Sequence, residues 1–143
     1  MGDSCRFAVA VHMLTILAEV PDRPCTSGEM AQSVNTNPVV LRRVMSALHE
    51  AGLIETRPGV GGGARLARPT GAITLDDVYC AVEDDGMIAV HKDPNRDCVI
   101  GAAIVDVLGT AIKRAETAMH ESLRTMTLAD VVASVRKARP KVA

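Results

Sequence analysis

The sequence predicts a mainly α fold: a winged helix-turn-helix unit with a β-hairpin wing, followed by a long helix. Three observations carry that prediction. Apolar residues recur at helical spacing over most of the chain. The pattern changes to two short strands only over residues 53–68, around a run of glycines. A stripe with near-heptad steps then runs through residues 98–126. The 143 residues suffice for one domain, or one domain with an arm, that buries about two thirds of its unfolded surface. Only Phe7 and Tyr79 are aromatic, so the core must be built from Ala, Val, Leu, Ile and Met, which favours closely packed helices.

The elements follow in order. Residues 5–20 read as a largely buried helix with Phe7, Val11, Leu14 and Ala18 at helical spacing, broken by residues 21–24. Thr26 and Glu29 form a capping box for a short helix to about Val34, with Met30, Ala31 and Val34 inward. Asn35, Thr36 and Asn37 make a turn. Pro38 suits the first turn of the next helix, where its missing N–H costs nothing. That helix runs to about Ala51, with Val40 or Leu41, Val44, Ala47 or Leu48, and Ala51 on its apolar side, and Gly52 closes it. Residues 53–56 and 64–67 are the strands of the hairpin, joined by the glycine-rich turn 57–63. A helix from Leu75 to Glu83 stops at Asp84, Asp85 and Gly86, and a polar loop covers 86–97. The long helix spans about 98–126, and Thr127 caps a last helix to about Arg136, ahead of a frayed basic tail. This gives three parts: 1–72, the winged unit; 73–97, a linking helix and sensor-like loop; and 98–143, the long and C-terminal helices.

Composition excludes several classes. Charged residues at 23% and hydrophobic residues at 48% argue against disorder. The longest apolar stretch, residues 7–18, is interrupted by His12 and Thr15 and is shorter than the ~20 residues of a membrane span. Asp3 before it, and Glu19 and Pro21 after it, argue against an export leader, so a cytoplasmic protein with reduced thiols is expected. GxSxG, a P-loop and HExxH are all missing, so no enzyme activity is expected. The acid pairs at 76–77 and 84–85 read as helix-end charges and a solvated turn.

Net charge is −1, but its distribution is uneven. Residues 38–70 carry five arginines against Glu50 and Glu55, while the segments on either side are negative. The second helix of a helix-turn-helix lies in a major groove with its N-terminal residues toward the bases. Here those residues are Pro38, Val39, Arg42 and Arg43, preceded by Asn35, Thr36 and Asn37. At least one of the two arginines must project outward, where it can bridge guanine O6 and N7 or hold a phosphate. The wing glycines permit close backbone approach to a phosphate, and Arg57 and Arg65 flank them. Double-stranded DNA is the expected partner, with a protein-interaction module as the alternative.

The segments Arg6-Phe7-Ala8-Val9, NPVVLRRVMSALHEAGLIETRPGVGGGARLARP at 37–69, ITLDDVYCAVE at 73–83 and TLADVV at 127–132 resemble one family. It is the IscR, NsrR and CymR family of bacterial winged helix-turn-helix transcription regulators. The resemblance covers nearly the whole chain in order. It implies a homodimer on a palindromic operator, with repression or activation of nearby genes, and repression is the expectation. It implies that the long helix crosses its twofold mate, so that Ile100, Ile104, Val107, Ala111, Ala115 and Met119 form the dimer interface. It places DNA contacts on Asn37, Val39, Arg42, Arg43, Arg57, Gly61, Gly62 and Arg65. Ala64 departs from the tyrosine or tryptophan that many members place after the wing glycines.

The sensing region departs further. Cluster-binding members carry three closely spaced cysteines before the long helix, whereas this chain has Cys98 alone. A cluster needs about four protein ligands, and only His91, Asp93, Asp97 and His12 stand as helpers. The resemblance is closer to the single-cysteine branch with an Asn-x-x-Cys-x-x-Gly setting, so no iron–sulfur cofactor and no metal is expected. An iron–sulfur or metal-sensing regulator is the alternative. Cys98, at the predicted start of the long helix, reads as a redox thiol or as a packing residue, with His91 and His12 as further sensing candidates. Cys5 and Cys80 are expected in the core, and Cys25 in an exposed loop. His12 is expected in the core or an interface, and His49 and His120 on the surface.

Overall fold

The computed structural model describes residues 5–84 and 86–139, so Asp3, Asp85 and residues 140–143 of the expected tail lie outside it. Six helices and one hairpin follow in the expected order. They are α1 (Arg6–Glu19), α2 (Ser27–Val34), α3 (Pro38–Glu50), β1 (Ile54–Arg57), β2 (Gly63–Leu66), a 3-10 turn (Thr70–Ala72), α4 (Leu75–Val82), α5 (Val99–Arg124) and α6 (Leu128–Ala138).

α1 is the central element because it is covered from two sides, by α3 and β2 and by α4 and α6. Its most buried residues are Val9, Ala10, Met13, Leu14 and Leu17. The expected row of Phe7, Val11 and Ala18 is only half-buried. A helix packed on two sides buries more than one i, i+4 row, so reading a single row finds the edge of the contact rather than its centre. The core also crosses the expected boundaries at 72 and 97, since Val78 and Val82 of α4 and Leu128 and Val132 of α6 pack with α1, α3 and β1.

Three helices start with capping boxes: Thr26 with Glu29, Thr74 with Asp77 and Thr127 with Asp130. The side chain of each threonine accepts an N–H of the first turn, and each acid accepts the threonine's own N–H. A bridge joins two of these starts: Leu75 N–H donates to the Met126 carbonyl (2.9 Å) and Leu128 N–H to the Ile73 carbonyl (2.8 Å). The starts of α4 and α6 are thereby clamped side by side. Arg136 and Arg139, expected in a frayed tail, instead hold Glu19 of α1 at 3.0 and 2.9 Å.

In the first box, the Arg23 guanidinium and then the Thr26 N–H hold the Glu29 carboxyl at about 2, down from 4.5. A carboxyl lowered on folding stabilises the fold fully above its unfolded value, and that contribution fades as pH falls from about 4.5 to about 2. The gap in urea midpoint between the parent protein and Glu29→Gln is therefore expected to be widest near neutral pH and to close by about pH 2. A gap that persists at about pH 2 would mean the carboxylate is not what stabilises this turn.

α5 differs from the other helices: none of its residues is buried. It meets the rest of the chain through its C-terminal part, where Glu116 accepts the Met87 N–H and His120 and Arg124 reach Asp76. Val99, Ile100 and Val107 stand exposed at 87%, 71% and 63%. Among the described residues no helix is long and apolar enough to cross a membrane.

Candidate nucleic-acid interface

The turn between α2 and α3 is built from its asparagines. Asn35 takes a left-handed conformation (φ 54°) that ends α2, a position asparagine tolerates better than most side chains. Asn37 caps α3, its side-chain oxygen accepting the Val39 N–H at 2.8 Å. Its first role is therefore structural, and its amide N–H groups are the donors left for a phosphate. Asn35 is exposed and Thr36 half-buried.

With Leu41, Val44 and Leu48 buried against the core, α3 turns Val39, Arg42 and Arg43 to solvent. Both arginines project, where the sequence required only one. Arg42 Nε lies 3.4 Å from the Pro38 carbonyl, a weak tether within its own helix. The Arg43 side chain makes no hydrogen bond or ion pair with the described residues.

The hairpin pairs Ile54 with Leu66, Glu55 with Arg65, Thr56 with Ala64 and Arg57 with Gly63. The inward positions Ile54 and Ala64 are buried, and Glu55 and Arg65 face out. Cys25 pairs with Ala64 on the other edge of β2, through hydrogen bonds of 2.9 and 2.8 Å. The wing is thereby fastened to the segment just before α2. Gly63 (φ 142°) permits this approach, because a Cβ there would lie 2.5 Å from the Cys25 carbonyl oxygen. The same pairing buries Cys25, which was expected in an exposed loop, and burial raises its thiol above the ordinary range. Ala64 follows from this too: a tyrosine or tryptophan has no room at a fully buried position between two backbone partners.

Gly61 is exposed, but Gly62, expected to contact DNA, is buried. Its N–H donates to the Gly59 carbonyl, and a Cβ there would collide with the Arg57 carbonyl oxygen, so Gly62 closes the turn. The Arg57 side chain is exposed and without a hydrogen bond or ion pair among the described residues, while Arg65 reaches back to the Asp22 carbonyl at 3.2 Å. Sequence reasoning passed over Val60, which stands fully exposed at the wing tip between Gly59 and Gly61. An apolar side chain in a turn of glycines was the available signal.

The three expected sensing residues are not brought together. Cys98 is exposed in the position preceding α5. The backbone N–H groups of Gly101 and then Ile100 hold its thiol below the ordinary range. His91 is exposed in the loop. His12, expected in the core or an interface, is exposed on α1 with Nε2 2.9 Å from Ser33 Oγ. Cys5, expected in the core, is exposed before α1, and Cys80, expected there too, is exposed on α4 with a thiol raised by burial and Asp76. Iodoacetamide is accordingly expected to label Cys98 before Cys80, and Cys25 last, as read by peptide mass spectrometry. Labelling of Cys25 as fast as Cys98 would contradict the placement.

A different group does converge. Asp76, expected as a helix-end charge, is buried beneath α5 and bonded to His120 Nδ1 (2.5 Å) and Arg124 Nε (3.1 Å). His120, expected on the surface, is half-buried and stacks edge-on against Tyr79.

Comparison with known proteins decides the family. Residues 3–134 match the family model described as Rrf2, iron-dependent transcriptional regulator. The chain belongs to the Rrf2 family. A Bacillus subtilis protein named as the HTH-type transcriptional regulator YwnA is 38% identical over 128 residues, covering 89% of this Rrf2 chain and 94% of that protein. A solved structure from Lactobacillus plantarum, described as a transcriptional regulator, superposes with a TM-score of 0.82 at 26% identity, covering 94% of this chain and 91% of that one. CymR of Bacillus subtilis, described as the global cysteine regulator, shares the fold with a TM-score of 0.66 at 23% identity, covering 94% and 98%. The α2–α3 unit and hairpin are thus the helix-turn-helix and wing of an Rrf2 transcriptional regulator.

Proposed function

We propose that this Rrf2 regulator binds double-stranded DNA as a homodimer on a palindromic operator and represses the adjoining genes. The observation that carries the reading is the pair Arg42 and Arg43, both exposed on α3 while the opposite face of that helix is buried. Arg57 and Val60 extend the same surface onto the wing, and the α3–hairpin segment holds the chain's surplus of positive charge. In this reading α3 enters the major groove, with Arg42 and Arg43 toward base edges or phosphates. Arg57 and the backbone at Gly61 follow the neighbouring groove. Gly62 and the Asn37 oxygen support the surface without touching DNA.

α5 supports the dimer. An exposed stripe that includes Ile100 and Val107 is costly in water, and a second copy of the same helix covers it by symmetry. Exposed Ala111 and Ala115 continue that stripe, and half-buried Ile104 and Met119 border it. Two copies of α3 then face half-sites about 34 Å apart. Cys98, exposed and held toward the thiolate at the start of α5, is the oxidant-responsive group, and its modification alters how the long helices meet.

The test begins with selection of bound sequences from a random duplex library. Affinity for the recovered sequence is then titrated at stepped salt. The expected result is a twofold-symmetric sequence bound by two chains, with log affinity falling linearly against log salt. Absence of any salt-dependent affinity would turn the reading toward a protein-interaction module.

A further inference from the structure

We propose that Asp76, Cys80 and His120 form a binding site for a divalent first-row transition ion of borderline softness, such as zinc, at the junction of α4 and α5. Asp76 and Cys80 stand one turn apart on α4 and so share a face. His120 descends from α5 onto the same point. Among the described residues this is the one group of three His, Cys, Asp or Glu side chains with ligand atoms close together, all within 4.8 Å. Cys80 Sγ lies 3.9 Å from Asp76 Oδ1 and 4.0 Å from His120 Nδ1, and Nδ1 lies 2.5 Å from Oδ1.

These separations are near those that a metal would impose. Tetrahedral metal–ligand bonds of about 2.0–2.3 Å put neighbouring donor atoms about 3.4–3.6 Å apart. The two sulfur distances are slightly long and the nitrogen–oxygen distance is short. Swinging the imidazole away from Asp76 and toward Cys80 corrects the two distances that involve Nδ1, and rotation of the exposed Cys80 side chain closes the third. The donor set selects the ion: a thiolate with an imidazole disfavours magnesium and calcium and suits zinc-class ions. Binding releases the Cys80 thiol proton and requires the neutral His120 tautomer with its proton on Nε2, leaving the Nδ1 lone pair for the ion. Arg124 Nε holds the other oxygen of Asp76 at 3.1 Å, and Tyr79 stacks on the imidazole at 5.5 Å, so two ligands are already oriented by outer partners. Cys80 and His120 also border a pocket of about 250 Å³, which leaves room for a water as the fourth ligand.

The spacing of the cysteines predicted no metal because this site uses one cysteine only, with its histidine 40 residues away on another helix. It is separate from Cys98 and lies toward the opposite end of α5. An ion there would fasten the long helix to α4, which packs on α3.

The experiment uses the full chain, stripped by a chelator and titrated with cobalt(II) chloride under reducing conditions. Expected are one cobalt per chain, a thiolate-to-cobalt charge-transfer band in the near ultraviolet, and the visible bands of a tetrahedral ion, all bleached by zinc. Cys80→Ser removes the charge-transfer band and weakens binding at least tenfold. Because Cys80 is exposed, this variant keeps its fold, as circular dichroism checks. Cys98→Ser leaves the spectrum unchanged. The proposal is overturned if the parent chain gives no such band, if the band survives Cys80→Ser, or if Cys98→Ser abolishes it. None of these readouts involves DNA, so the result stands apart from the operator reading.

Discussion

Replacing Arg42 and Arg43 together by alanine is expected to weaken operator binding roughly 30-fold to 10⁴-fold at fixed salt, from about 1–3 kcal/mol for each side chain that reads a base. The fold should not change, because both side chains are exposed and neither forms an ion pair among the described residues. The single variants separate two roles. An arginine on a base edge loses discrimination at one position of the operator, whereas one on a phosphate weakens all sequences alike and lowers the salt slope by about one. Anisotropy titrations on the selected operator and on point-substituted versions distinguish them. A double variant that binds within threefold of the parent would remove α3 from the interface.

Val107→Asp is the second large effect. The residue is 63% exposed in the single chain, so an isolated protomer tolerates a carboxylate there. In the proposed dimer the same group is taken out of water against an apolar mate. An unpaired buried charge costs on the order of 3–5 kcal/mol, which raises the dimer dissociation constant roughly 100-fold or more per copy. Sedimentation equilibrium is expected to show a monomer with unchanged helical content. Operator affinity should fall with it, because two half-sites are no longer engaged by one body. A dimer of undiminished stability would place the interface elsewhere.

Local signals were the legible part of the sequence. Thr26, Thr127, Pro38, Gly52 and the wing glycines each act within a few residues of themselves, so the borders they set agree with the structure to within a few positions. The buried face of α3 was legible in outline: of the alternatives Val40 or Leu41 and Ala47 or Leu48 the structure buries Leu41 and Leu48 beside Val44, and it leaves Ala51 exposed. What was hidden depends on distant contacts. Cys25 is buried by an edge pairing with Ala64 across 39 positions of chain, and nothing near Cys25 announces it. Asp76 looks like any first-turn acid until α5 lays His120 and Arg124 over it. Cys80 and Cys5 were assigned inward from helical period alone, but period cannot say how many sides of a helix are covered. At the candidate interface, the offset to Val44 and Leu48 showed that one of Arg42 and Arg43 must be exposed, and the structure exposes both. The structural duties of Asn37 and Gly62 were not, because a capping bond and a closed turn are matters of backbone geometry.

The bridge that clamps the starts of α4 and α6 makes the long helix a cantilever. Its anchored end sits beside Met126, and about 39 Å of helix extends from there at 1.5 Å per residue. Tilting such a beam by 5° at its root carries the free tip about 3 Å, close to one base-pair step. In the proposed dimer, small adjustments at the root therefore become changes in how far apart the two copies hold their α3 helices.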